Sequence, residues 1–120
     1  RWPIFAGASG VRKMNDQQLE AAIAAQPHEK VTKEGMEARI KSTEYMVLPN
    51  STVTICNITL ENGFSVRGES ACVDPRNFNM EVGRQIAYRD AFGKLWQLEG
   101  YLLAERRFQS SAMVEAESAL

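Results

Sequence analysis

The sequence predicts an α+β domain with short N-terminal helices, a three-stranded antiparallel meander and one long C-terminal helix. The turn signals Pro49-Asn50-Ser51 and Glu61-Asn62-Gly63 separate three runs rich in β-branched and aromatic residues. From Asn79 onward, apolar residues return at helical spacing, with no proline, to about Arg107. A chain of 120 residues fits one domain, which buries roughly two thirds of the surface its unfolded form exposes.

Residues 1–13 show neither helical nor alternating periodicity, and Met14 has the look of an initiator. They are therefore expected to be an appended or unstructured extension, leaving a domain over 14–108 and a flexible tail over 109–120 that is loose or a frayed helical extension. Asp16 is expected to cap a short helix with Leu19, Ala22 and Ile23 on one side, stopped by Pro27. Thr32 caps a second helix, Val31 and Met36 have hydrophobic-staple spacing, and Met36 and Ile40 face the core.

The strands are expected at Tyr45 to Leu48, Thr52 to Leu60 and Phe64 to Ala71. A two-residue Asn-Gly turn would mix apolar and charged side chains on one sheet face. A three-residue Glu-Asn-Gly turn, with Gly63 in the left-handed region, places Cys56, Ile58, Leu60, Phe64 and Val66 together. It sends Asn57, Thr59, Ser65, Arg67 and Glu69 to the other face. That register sets Cys56 opposite Gly68 and Cys72 opposite Thr52, roughly 13 Å apart and too far for a disulfide.

Asn79 is the expected N-cap of the long helix. On a helical wheel, Val82, Ile86, Phe92, Trp96 and Leu103 form one apolar stripe, with Gly93 and Gly100 inside it. Ala87, Tyr88, Ala91, Leu95, Leu98 and Leu102 form a second. One small sheet cannot cover both, so a homo-oligomer, dimer or hexamer, built through this helix is expected.

Fourteen Lys and Arg balance 15 Asp and Glu, a net charge of −1, so the chain lacks the electrostatic pull that carries nucleic-acid or anionic-membrane binding. No apolar run spans a bilayer and no secretory signal is visible, which makes the cytoplasm the default compartment. His28 is the only histidine and there is no Cys-x-x-Cys, so a zinc site or histidine triad lacks its parts. Cys56 and Cys72 read as core thiols. Glu69 with Asp74, and Glu81 with Glu99, read as surface charges, and the Gly7-Ala8-Ser9-Gly10 run lacks the context of a phosphate loop. No metal, cofactor or catalytic set is expected. The reading is a binding protein and not an enzyme. Asn77 and Phe78 precede the long helix, whose free N–H groups favour an anion. Arg67, Arg84, Arg106 and Arg107 are candidate phosphate ligands.

The pattern Asn62-Gly63-Phe64, then Gly68-Glu-Ser-Ala-Cys-Val-Asp-Pro75 with Asn77-Phe78, then Gly83, Ala87, Ala91, Lys94, Trp96 and Leu98-Glu-Gly-Tyr101 resembles a small phage-encoded family of mostly unknown function, over about Val31 to Arg107. Some members resemble anti-Thoeris sponges, which sequester a cyclic ADP-ribose signal, and some relatives hold other cyclic nucleotides. The resemblance implies a protein of the infected bacterial host's cytoplasm that binds such a signal between protomers without cleaving it. Arg67, Asn77, Phe78, Arg84, Tyr88, Asp90 and Arg107 have the side-chain types such a ligand needs. The competing reading is a protein-interaction module or phage scaffold protein that docks a host protein on the spare helix face.

Overall fold

The computed structural model describes residues 13–119. The Gly7-Ala8-Ser9-Gly10 run and most of the expected extension lie outside the described residues. In chain order the elements are α1 (Asp16–Ala24), α2 (Lys33–Ala38), β1 (Ile40–Val47), β2 (Val53–Leu60), β3 (Ser65–Ala71) and, after a 3-10 turn at Pro75–Asn77, α3 (Met80–Ala119).

The expected α+β architecture is present: an antiparallel sheet in the order β1-β2-β3 lies against α3. The register is the one its faces require, with Cys56 opposite Gly68 and Gly63 at φ 89° in the turn. The buried side chains of β2 alternate as Thr54, Cys56, Ile58 and Leu60, so a single sheet face meets the helix. Both cysteines are free.

Several local expectations are corrected. The N-cap of α1 is Asn15, whose side chain accepts from Gln18 N–H while its own N–H donates to the Gln18 side chain, so Asp16 falls inside the first turn. Strand β1 begins at Ile40, five residues before the expected Tyr45, because α2 stops at Ala38 and Arg39 N–H closes the last turn on the Met36 carbonyl. Phe64 is exposed, not buried with Val66, and precedes the start of β3.

Helix α3 also runs to Ala119, past the expected end near Arg107. At 1.5 Å per residue it is about 60 Å long, in a molecule whose longest dimension is 66 Å. Its sheet-facing line is Gly83, Ala87, Ala91 and Leu95, one residue per turn and small until the last. A Cβ on Gly83 would come within 2.7 Å of Thr54 Oγ1, and one on Gly68 would enter the helix backbone at Ala87 and Ala91. Helix and sheet are therefore close because glycine and alanine permit it.

The second expected stripe is thus the buried one, although Leu98 stays partly exposed. Of the first, Phe92 is buried and Leu103 half-buried, while Val82, Ile86 and Trp96 remain 52%, 48% and 43% exposed. Beyond the helix's own backbone, no described residue lies within 4 Å of where a Cβ would sit on Gly93 or Gly100. Beyond Glu105 every described residue of α3 is exposed, Phe108, Met113 and Val114 among them. No described helix is long and apolar enough to cross a membrane.

Candidate functional site

The expected ligand residues fall in separate places. Arg67 lies on the sheet face turned away from α3, where Nη1 donates to Asn57 Oδ1 at 3.2 Å and Ser65 Oγ at 3.0 Å. Asn77 ends the 3-10 turn and is exposed, and Phe78 after it is half-buried. Asp90 Oδ2 accepts the main-chain N–H of Glu69 at 2.9 Å, and one turn on, Lys94 Nζ donates to the Arg67 carbonyl. Those two side chains close the outer edge of β3, a structural task that accounts for Asp90 without a ligand.

Arg84 and Arg107 are 23 residues apart on one helix, which separates them by roughly 35 Å. They cannot hold one small ligand within a protomer. Arg107 instead joins Arg106, Ser110 and Ser111 around an open recess bordered by Glu29. By the same reasoning Glu81 and Glu99 are roughly 27 Å apart and form no acid pair, and Asp74 is tied to Arg76 by a 2.7 Å salt bridge.

Arg84 and Tyr88 do come together, with a residue the sequence reading passed over. The Arg84 guanidinium sits 5.5 Å from the ring centroid of Tyr45, which β1 carries opposite Cys56. Tyr88 begins an aromatic row one turn further along α3: its ring stacks on Phe92 at 5.7 Å, and Phe92 meets Trp96 edge-on at 6.4 Å. Arg84, Tyr45 and Tyr88 thus share the β1 side of α3 as a candidate groove, with Tyr45 opposite the buried Cys56. Tyr45 is 39% exposed, and Arg84 has no salt bridge among the described residues. The clue to Tyr45 was its phase: it alternates with Thr43 and Val47, the β1 residues opposite Ile58 and Thr54 of the buried face.

Partial burial, with the Cys56 thiol second, pushes the Tyr45 phenol above its ordinary range, and burial with nearby Glu37 does the same to Tyr88. Raised folded-state values mean that the unfolded chain ionises first. The stability these tyrosines contribute is complete below the unfolded value near about 10 and is lost as pH rises through the folded values. The urea midpoint should fall from pH 8 to 10.5, and fall less in the Tyr45→Phe, Tyr88→Phe double variant. Equal declines would remove the tyrosines as the cause.

A second arrangement was also missed. Arg39 Nη1 contacts both Glu99 oxygens at 2.9 Å and its Nε donates to Glu61 at 3.1 Å, so one guanidinium joins the α2–β1 junction, the end of β2 and the middle of α3. The pair lines a recess of about 180 Å³ with Met36, Leu103 and Arg106.

A three-stranded meander closed by one long helix, with an aromatic and cationic cluster along the β1 side, defines the class: a small α+β protein with one sheet face covered. The family model described as "Phage protein (N4 Gp49/phage Sf6 gene 66) family" matches residues 31–107, and the chain belongs to that family. No curated protein and no solved structure matches it.

Proposed function

We propose that this phage protein binds a cyclic nucleotide immune signal of the cyclic ADP-ribose type and holds it without cleavage, in assemblies built through α3. The observation that carries the binding is the convergence of Arg84, Tyr45 and Tyr88. A guanidinium free of carboxylate partners among the described residues suits a pyrophosphate, and two phenol rings offer stacking surfaces for a base, worth roughly 1–3 kcal/mol each.

The assembly is supported by α3. Its outward side carries Val82, Ile86 and Trp96, with open glycines at 93 and 100 that permit close approach of another helix. Its C-terminal half also extends past the sheet with Tyr101, Phe108 and Met113 exposed. A helical stretch of this length is marginal in water without packing. An assembly also supplies what one protomer lacks, because Arg107 of one copy can approach the groove of another. The competing occupant, a host protein on the same face, predicts that Trp96→Glu leaves the mass by light scattering unchanged, whereas assembly through α3 predicts a lower mass.

The direct test is calorimetry of the full chain with cyclic ADP-ribose isomers, followed by heat denaturation and chromatography of the released ligand. Tight binding with intact ligand is expected, and turnover or no binding rejects the reading. Arg84→Glu should weaken binding by about 100-fold with unchanged helical circular dichroism, because Arg84 is exposed. Unchanged affinity would exclude the groove.

A further inference from the structure

The two edges of the sheet are treated differently. On β3 the outward main-chain groups of Glu69 and Arg67 are taken by Asp90 and Lys94. On β1 no corresponding bond exists among the described residues. Leu48 N–H donates to the Val53 carbonyl, so the antiparallel alternation directs the N–H and C=O groups of Val47, Tyr45 and Thr43 away from β2. Among the described residues, strand β1 has no second neighbour. Its end carries three consecutive exposed apolar residues, Tyr45, Met46 and Val47. A long, apolar and unprotected edge is a template for another strand.

We infer that β1 pairs antiparallel with β1 of a second copy about a two-fold axis at Tyr45, joining two sheets into one. The segment is complementary to itself. Tyr45 would face the partner's Tyr45, and Thr43 the partner's Val47, each facing pair exchanging two main-chain hydrogen bonds. On the outer face Glu44 would meet the partner's Met46, and Ser42 the partner's Leu48, so no like charges oppose one another across the seam. The irregular register between Ile40 and Ser42 ends the regular edge at the other side, which limits the pairing to this segment. Because Tyr45 lies at the centre, the seam brings two Arg84–Tyr45 grooves side by side, with the facing Cα atoms about 5.5 Å apart. The pairing stands on the strand edge alone and does not depend on which ligand the groove takes.

Amide hydrogen exchange of the unaltered full chain tests it, together with its mass by light scattering. The amides of Thr43, Tyr45 and Val47 should exchange at least about 100-fold more slowly than loop amides at high protein concentration, and dilution to the monomer should remove that protection. Free exchange at these positions in the associated protein overturns the pairing, and so does protection that persists in a monomer, which would mean that a segment of the same chain covers the edge. Val47→Pro removes an N–H that has no bond among the described residues. It should abolish the protection at Thr43 and lower the assembly mass while circular dichroism stays native, and an assembly with unchanged mass and protection would equally reject the seam. Loss of ligand binding with the seam intact would count against the groove alone.

Discussion

Replacing Gly68 with alanine is expected to unfold the domain. The position is buried in β3, and the added methyl would fall within the main chain of α3 at Ala87 and Ala91. A flexible side chain could turn aside, but two turns of helix backbone can move only by lifting α3 from the sheet. That would expose Cys56, Ile58, Val66 and Leu95 together. A loss of about 4 kcal/mol or more is expected, a large fraction of the stability of a domain this size. It should appear as insoluble protein or as a urea midpoint near zero. Gly93→Ala is the contrast: with open space around it, alanine should stabilise an isolated protomer by about 0.5–1 kcal/mol through helix propensity. If Gly68→Ala melts like the parent protein, the close approach of helix and sheet is wrong.

The second large effect is expected at Arg39. Arg39→Met keeps the length of the side chain but leaves the Glu99 carboxylate, only 12% exposed, without its cation. Stranding a partly buried charge in this way should destabilise by about 2–3 kcal/mol, lowering the thermal midpoint by about 10 °C. Adding Glu99→Leu should recover most of the loss, because it removes the orphaned charge and adds apolar contact beside Leu103. A double variant as unstable as the single one would show that Arg39 acts through its packing and not through Glu99.

These two positions mark different limits of the sequence reading. The register that puts Gly68 opposite Cys56 followed from a three-residue turn and from the separation of apolar and polar faces. What Gly68 meets across the interface did not follow, since that depends on where α3 crosses the sheet. Arg39, Glu61 and Glu99 are far apart along the chain, and no local periodicity links them. The candidate groove was half legible: Arg84 and Tyr88 are four residues apart on one helix, whereas Tyr45 joins them only through the docking of β1 beside α3. Asp90 had the chemistry of a ribose ligand and turned out to serve the edge of β3. Helix α3 continues past Arg107 because the tail has no glycine or proline to stop it, and its alanines, glutamates and Met113 are strong helix formers that extend a helix already nucleated.

The sequence by itself determined the element order, the meander, its register and the free thiols. Those depend on side-chain period, turn stereochemistry and caps, which act over a few residues. Only the tertiary structure decided which stripe of α3 faces the sheet, which sheet edge is sealed and which side chains share the groove. All three are fixed by the docking of one helix on the sheet, and that docking is set by the small residues Gly68, Gly83, Ala87 and Ala91, whose lack of bulk has meaning only once the two surfaces meet.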